Sequence, residues 1–200
     1  MKLGTKILTY VAAGWLLLNP NNFNSENKPQ QLSDLEQKVE EIVKKQERVI
    51  VIDKSDFLLY YYNNGKVEDK YTVAIGKNTS GKNKSKIGDN LTPEGIFKIQ
   101  EKSKIDENYL GKYKTDLIRE LEYSLFNIIR SPFGTRWMRL KSQSYKGFKT
   151  PDWKGIGIHG LRHSPKIFKY QTEGCVGLNV KDAQKLYNKV DIGDYVIIKP

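Results

Sequence analysis

The feature that most constrains the fold is a series of short runs of β-branched and aromatic residues in the first half of the chain. Val49–Ile52 and Phe57–Tyr62 flank the turn-prone residues 53–56, and Tyr71–Ile75 follows an Asn-Asn-Gly sequence at 63–65. Runs of this kind between turn residues are typical of strands. Glycine supplies the positive φ that a tight hairpin requires. The pattern therefore predicts an antiparallel β meander.

The rest of the chain extends this pattern into a domain that we predict over residues 48–200. Polar residues at 77–90 indicate a loop, and the insertion at 103–130 has no clear pattern apart from one helical stretch. The remaining predicted elements are the strands Ile96–Ile99, Arg136–Leu140, Gly155–His159 and Tyr195–Ile198, and the helices Asp116–Leu125 and Asn179–Val190. The predicted fold class is mostly β, with a few peripheral helices.

The N-terminal segment has the residue order of an export signal. Lys2 and Lys6 both precede the apolar run Ile7–Leu18. This run is 12 residues long, whereas a bilayer-spanning helix needs about 20 residues. We therefore predict that residues 1–18 are a signal peptide or an N-terminal membrane anchor, and that the protein is exported to the periplasm or cell envelope. Residues 19–31 are rich in Asn, Gln and Pro and are predicted to be a linker.

A short amphipathic helix is predicted between the linker and the domain, over residues 32–47. Its start has the spacing of a capping box, with Ser33 three residues before Glu36. Leu35, Val39 and Ile42 recur at helical intervals. The apolar pattern is too short for a coiled coil, so the helix is expected to cover a face or edge of the domain.

The net charge restricts the class of partner without deciding it. Lys and Arg number 34 against 23 Asp and Glu, and the resulting positive field attracts anionic molecules. Nucleic acid, anionic lipid and acidic wall polymer all have the required charge. The sequence contains no recognisable nucleic-acid-binding motif and its lysines are dispersed, so nucleic acid is not the predicted partner.

The single cysteine of the chain is the first candidate for chemistry. Cys175 has no second cysteine with which to form an intramolecular disulfide, and an exported protein gains no cross-link from an unpaired thiol. It lies between Gly174 and Gly177, and small neighbours leave room for a substrate carbonyl near the sulfur. The alternative is a small buried apolar residue, as many free cysteines are.

A cysteine nucleophile needs a base, because a thiol with a pKa near 8.5 is only slightly ionised at neutral pH. The chain has two histidines. His159 ends the predicted strand Gly155–His159, where its ring can be held rigidly, whereas His163 lies in a polar loop. General base catalysis requires a fixed hydrogen-bond geometry. His159 is therefore the predicted base, and His163 is expected to be a solvated side chain.

Two other kinds of site fit the sequence less well. One cysteine and two histidines have no recognisable zinc-ligand spacing, so no metal site is predicted. A serine nucleophile is not favoured because the chain contains no G-x-S-x-G motif.

The residues around these two groups resemble a known family. His159-Gly160, followed by Thr172-x-Gly174-Cys175, is similar to the H-G…[S/T]-x-G-C signature of L,D-transpeptidase catalytic domains of the YkuD type. The resemblance extends to the Thr-Pro-Glu-Gly-Ile-Phe sequence at 92–97 and the Gly-Asp-Tyr-Val-Ile-Ile sequence at 193–198. It covers about three quarters of the chain and implies a β-sandwich.

The resemblance also implies a reaction. Cys175 would attack a carbonyl of a peptidoglycan tetrapeptide stem and form a thioester, which the amine of a second stem would resolve. His159 would accept the thiol proton, the main-chain carbonyl of Gly160 would orient its ring, and N–H groups at Gly174 and Cys175 would stabilise the oxyanion. Thr172 completes the signature as a supporting residue. The mechanism needs no organic cofactor or metal, and a monomer suffices.

Two positions depart from the family pattern. Many members carry His at the position of Glu173, and Arg or Asn at that of Gly177. A carboxylate beside the sulfur could raise the thiol pKa unless Glu173 turns away or pairs with a base such as Arg162. Arg139 and Arg162 are the candidates for binding the carboxylates of the stem peptide.

Two alternatives stay open at this point, and a third is disfavoured. Water could replace the acceptor amine, which would make the protein an L,D-carboxypeptidase or amidase with the same Cys-His site. A catalytically silent module could instead hold anionic wall polymer through its basic surface. A sortase-like cysteine transpeptidase is disfavoured because its Thr-Leu-x-Thr-Cys sequence is absent.

Overall fold

The computed structural model describes residues 30–78, 80, 82–104, 136–161 and 170–200. The chain divides into Met1–Ser33 and a compact unit, Asp34–Pro200. The predicted signal or anchor at 1–18, most of the predicted linker and the predicted helix Asp116–Leu125 lie outside the described residues. Arg162 and His163 also lie outside them.

Two helices are described. Helix α1 (Gln30–Lys45) begins inside the predicted linker and ends two residues before the predicted helix boundary. Helix α2 (Val180–Lys189) begins after the N-cap Asn179, whose side-chain oxygen accepts a hydrogen bond from the Asp182 N–H at 2.9 Å. This contact satisfies one of the free N–H groups at the helix start. No helix in these described ranges is long and apolar enough to cross a membrane.

Twelve strands are described, and they contain more of the described residues than the two helices do. They are β1 (Arg48–Asp53), β2 (Leu58–Asn63), β3 (Lys66–Thr72), β4 (Ile75–Gly76), β5 (Gly95–Lys104), β6 (Arg136–Ser142), β7 (Ser144–Tyr145), β8 (Phe148–Lys149), β9 (Gly157–Gly160), β10 (Tyr170–Thr172), β11 (Val176–Leu178) and β12 (Tyr195–Lys199). The predicted class, mostly β with a few helices, is confirmed.

The predicted third strand, Tyr71–Ile75, is divided between two strands of the structure. Strand β3 begins at Lys66 and ends at Thr72, whereas Ile75 belongs to β4. β3 lies at an edge of the large sheet and carries mostly exposed charged residues, so it lacks the apolar pattern of a half-buried strand. Strand β3 is therefore identified by its backbone pairing with β2, because its sequence has no hydrophobic pattern that would mark it as a strand.

The largest sheet has eight strands in the order β11-β9-β6-β5-β12-β1-β2-β3. The pairs β1–β12 and β9–β11 are parallel, and the other neighbours are antiparallel. Two further pairs, β4–β10 and β7–β8, stand outside this sheet. The predicted meander is β1-β2-β3. Strands β9 and β11 lie at the opposite edge of the sheet from β3.

Apolar side chains cover both faces of the central strands. Along β1, Ile50 and Ile52 join one buried cluster, while Val49 and Val51 join a second. This alternation follows from the two-residue period of a strand. Helix α2 packs on the first face through Ala183 and Leu186, and α1 packs on the second through buried residues that include Ile42. Ile75 of β4 belongs to the first cluster, so β4 contributes to the core on the face that α2 covers.

Candidate active site

The register of two parallel strands brings the candidate nucleophile and base together. Val176 of β11 pairs with Ile158 of β9, and Gly177 pairs with His159. Val176 and Ile158 belong to the cluster on the α2 face, so His159 lies on the opposite face. Cys175 immediately precedes β11, and the two-residue period assigns it to the face of His159. The predicted base on β9 and the lone cysteine, which directly precedes the neighbouring strand β11, therefore lie on the same face of the sheet.

The imidazole of His159 is buried and held in one tautomer. Its Nδ1 lies 3.0 Å from the carbonyl oxygen of Gly160. A carbonyl can only accept a hydrogen bond, so Nδ1 carries the proton and Nε2 carries the lone pair. Burial lowers the pKa of His159 below its ordinary value of 6.5, although the hydrogen bond to Gly160 raises it. The ring is therefore neutral at pH 7, which is the state that a general base requires.

The ring of Trp137 packs beside His159. The two residues are partners across β6 and β9, and their ring centroids are 5.8 Å apart. A side chain at Gly157 would collide with this indole, because an added Cβ would lie 2.6 Å from Cη2 of Trp137. Glycine at 157 thus leaves the space that the indole occupies next to the imidazole. Sequence analysis missed Trp137, since only the pairing of two distant strands brings it to the site.

The thiol of Cys175 is half-buried and protonated in its resting state. Its Sγ donates a hydrogen bond to the carbonyl oxygen of Gly155 at 3.6 Å. Burial raises the pKa of the Cys175 thiol, while a backbone hydrogen bond from Gly157 lowers it. A thiol with a raised pKa and a histidine with a lowered pKa do not form a thiolate–imidazolium pair at rest.

The turn that carries the cysteine is fixed by Thr172. The Thr172 hydroxyl donates to the Cys175 carbonyl oxygen at 2.6 Å and accepts from the Gly174 N–H at 3.2 Å. Gly174 has a φ of +126°, and an added Cβ would lie 2.9 Å from the Leu91 carbonyl oxygen, so only glycine fits. Because Thr172 occupies the Gly174 N–H, the N–H of Cys175 is the remaining member of the expected oxyanion pair.

The structure gives a physical account of the two departures from the family pattern. Glu173 pairs with Lys77, with 3.0 Å between Nζ and Oε1, and both side chains are largely exposed. The sequence had suggested Arg162 as its partner, a residue outside the described ranges. At Gly177, an added Cβ would lie 2.6 Å from Cδ1 of Leu161. The Leu161 side chain therefore fills the space next to Gly177 that a side chain would need.

Arg139 lies on the same face of the sheet as His159. It pairs with Gly157 across β6 and β9, and its neighbours Met138 and Leu140 are buried on the other face. Its side chain is half-exposed, and its Nε lies 3.4 Å from Oε2 of Glu101. Within the described residues no group of three or more His, Cys, Asp or Glu side chains could hold a metal ion.

These features define a class of protein: a mostly β domain with a buried neutral histidine on one strand at the sheet edge and a cysteine in the turn before the adjacent parallel strand. The chain belongs to the L,D-transpeptidase catalytic domain family, YkuD, which matches residues 47–198. The predicted family membership is confirmed. Family and fold support a function of the peptidoglycan L,D-transpeptidase type.

Several relatives are similar to this chain. A putative L,D-transpeptidase from Bacillus subtilis, YqjB, is 26% identical over 149 residues, which cover 74% of this chain and 69% of the relative. Among solved structures, the Ldtfm–avibactam carbamoyl enzyme has a TM-score of 0.50 and 21% identity, over 78% of this chain and 49% of that chain. A cysteine-to-serine mutant of Enterococcus faecium L,D-transpeptidase has a TM-score of 0.49 and 21% identity, over 76% of this chain and 50% of that chain. The chain thus spans about half the length of these solved relatives.

Proposed function

We propose that this protein is an exported peptidoglycan L,D-transpeptidase, in which Cys175 is the nucleophile and His159 the general base. The observation that carries the proposal is the parallel pairing of β9 with β11, which brings His159 on β9 and Cys175, directly before β11, to the same face of the sheet. The tautomer set by Gly160 supports it, because the lone pair of His159 then lies on Nε2.

Acylation is the first half of the reaction. As a donor stem binds, the thiol proton of Cys175 passes to Nε2 of His159 and sulfur bonds to the peptide carbonyl carbon. The electron pair of the carbonyl double bond moves to oxygen, where the Cys175 N–H can donate a hydrogen bond. When that pair returns, the carbon–nitrogen bond breaks and His159 gives its proton to the departing amine. A thioester remains on Cys175.

Deacylation regenerates the thiol. The amine of an acceptor stem attacks the thioester carbon and gives a proton to Nε2 of His159. The carbon–sulfur bond then breaks, and the sulfur regains that proton. The products are a new amide cross-link and the free enzyme. Water in place of the amine would give a trimmed stem, as in an L,D-carboxypeptidase.

Arg139 is proposed to bind a carboxylate of the donor stem. Its guanidinium lies on the face of His159 and is paired only with the half-exposed Glu101 among the ion pairs described for it. A surface pair of this kind is weak, so a substrate carboxylate can replace Glu101 at small cost. Arg162 is proposed as a second such residue on sequence grounds alone.

Replacing Arg139 with glutamine is expected to raise KM for a tetrapeptide donor about three- to tenfold with little change in kcat, because ground-state binding is lost. Steady-state kinetics at varied donor concentration measures both constants. Lys66→Gln is the matched control, since it makes the same charge change on β3 at the opposite edge of the sheet. If the two substitutions raise KM equally, Arg139 contributes only to the overall positive charge and does not bind the donor carboxylate.

The proposal also includes the setting of the reaction. We propose that residues 1–18 direct export or anchor the chain in the membrane, that the protein acts as a monomer in the periplasm or cell envelope, and that its partners are peptidoglycan stems. A net charge of +11 suits an acidic wall peptide. Fractionation of cells that express the tagged 200-residue chain tests the location, and a cytosolic chain would contradict it.

The decisive experiment is mass spectrometry of the intact protein after incubation with a tetrapeptide stem. An adduct is expected on Cys175, and cross-linked dimers are expected once an acceptor stem is added. The adduct with trimmed stems but no dimers would identify a hydrolase. Salt-sensitive binding to wall polymer with no adduct and no product would instead identify a non-catalytic module.

A further inference from the structure

Basic side chains line one face of β6 next to the candidate active site. Arg139 and Lys141 alternate along this strand with Met138 and Leu140, which are buried on the α2 face. Successive residues of a strand point to opposite faces, so the two cations lie on the other face, which is that of His159. Both cations are exposed to solvent.

A third cation, Lys98, lies directly opposite Lys141 in the pairing of β5 with β6. Its neighbours Phe97 and Ile99 are buried on the α2 face, so Lys98 and Lys141 share the opposite face. The Lys98 ammonium lies 4.4 Å from the centre of the Tyr195 ring, and this cation–π contact holds it on that face. We call the three side chains the cationic tract: Arg139, Lys141 and Lys98.

The charges of the cationic tract are poorly balanced within the protein. Like charges directly opposite each other on neighbouring strands, as in Lys98 and Lys141, repel. Among the residues that the structure describes, the only carboxylate paired with any member of the tract is Glu101, at 3.4 Å from Arg139, and both of these side chains are half-exposed. An exposed pair of this kind contributes little. The tract therefore offers positive charge that an anionic ligand can neutralise.

The cationic tract begins beside the candidate base and is about as long as a tetrapeptide. Trp137 is the cross-strand partner of His159. Arg139 and Lys141 follow Trp137 on the same face of β6. A strand advances about 3.3 Å per residue, so these two cations lie roughly 7 Å and 13 Å along β6 from the Trp137 position. Four residues of an extended peptide also span about 13 Å. A polymer with many anionic repeats would need a longer tract.

We propose that Lys98 and Lys141 extend the donor subsite beyond Arg139 and bind a second carboxylate of the stem. A stem that lies along β6 with its scissile carbonyl at His159 brings its carboxylates over the tract. A carboxylate neutralises the two opposed lysines, whereas a carboxamide leaves their repulsion in place. The tract therefore selects stems with at least two free carboxylates. This selectivity rests on the function proposed above.

The test is the affinity of two matched tetrapeptide stems, one with free carboxylates and one with carboxamides, for the 200-residue chain that carries Cys175→Ala. No thioester forms without the thiol, so isothermal titration calorimetry measures binding alone. The free stem is expected to bind about five- to twentyfold more tightly at low salt, and added salt is expected to reduce this preference. Lys98→Gln/Lys141→Gln in the same background is expected to weaken binding of the free stem about three- to tenfold and to leave that of the amidated stem unchanged.

Lys66→Gln/Lys70→Gln is the matched control. It removes the same charge from β3, at the opposite edge of the sheet. Lys70 also lies over a tyrosine ring, with its Nζ 5.3 Å from the centre of Tyr60. The control is expected to leave both affinities near those of Cys175→Ala alone, and thermal melting checks that each variant folds. Equal affinity of the unsubstituted tract for the two stems, or an equal loss of preference in the two double variants, would overturn the proposal.

A soluble poly(glycerol phosphate) oligomer is the second probe. If Lys98→Gln/Lys141→Gln weakens binding of this oligomer but not of the free stem, the tract holds a phosphate polymer and the selectivity for stems is overturned. The binding assay needs no acyl transfer, so a preference for the free stem would stand even if no adduct formed on Cys175. An adduct on Cys175 without that preference would retain the proposed function and remove the selectivity.

Discussion

Replacing Cys175 with alanine is expected to abolish the acyl adduct and to reduce peptide transfer by at least about a thousandfold, because no other group is placed to form the thioester. The fold is expected to persist. The side chain is half-buried, and its thiol makes only weak hydrogen bonds with backbone groups, including one of 3.6 Å to the Gly155 carbonyl oxygen. The expected loss of stability is about 1 kcal/mol or less. Intact mass measures the adduct, muropeptide chromatography measures transfer, and thermal melting checks the fold.

Cys175→Ser is the companion variant. It keeps a hydrogen-bond donor at the same place, but a hydroxyl has no thiolate character and is a much weaker nucleophile at neutral pH. Transfer is therefore expected to fail again, while the melting temperature stays closer to that of the wild type. Products formed at the wild-type rate by Cys175→Ala would mean that the thiol is not the nucleophile.

Much of the candidate site could be predicted from the sequence because its members are close together along the chain. Thr172, Gly174 and Cys175 form one turn, and His159 and Gly160 form one strand end, so short motifs contain them. The choice of His159 over His163 rested on the rigidity of a strand terminus. The structure places His159 on β9, next to β11.

Other parts of the site depend on contacts between distant segments. Trp137 reaches His159 only through the pairing of β6 with β9, so no local sequence pattern marks it. The Leu91 carbonyl oxygen lies against Gly174, although the two residues are far apart along the chain. The Gly174 N–H was expected to bind the oxyanion, but sequence could not show that the Thr172 hydroxyl already uses it.

The fold was predictable where a central strand is buried on both faces and its sequence is a continuous apolar run. Ile50 and Ile52 on one face of β1, with Val49 and Val51 on the other, give a continuous apolar run that is easily recognised. Strand β3 lacks such a run because it is a charged edge strand. Strands β10 and β11 were missed because each has three residues and they enclose the turn of Cys175.

Substituting His159 with glutamine is expected to lower the rate of acyl transfer by about a hundred- to ten-thousandfold, because glutamine cannot accept the thiol proton. The pH profile gives a sharper test. In the wild type the rate falls with acidity as the ring gains a proton, and burial lowers the pKa of His159, so this fall lies below pH 6.5. Above that pH the ring is neutral and active. The acid limb is expected to disappear from the residual rate of His159→Gln.

Trp137→Phe separates the chemistry of the imidazole from the packing around it. Phenylalanine preserves an aromatic ring beside the imidazole but leaves part of the indole volume empty, so a moderate loss of stability is expected, of about 1–2 kcal/mol. The basic group is retained, and the acid limb should therefore remain in the profile of Trp137→Phe while it is lost from that of His159→Gln. An acid limb that persists unchanged without His159 would assign the proton transfer to another group. The neutral histidine would then be a packing residue next to a thiol activated by other means.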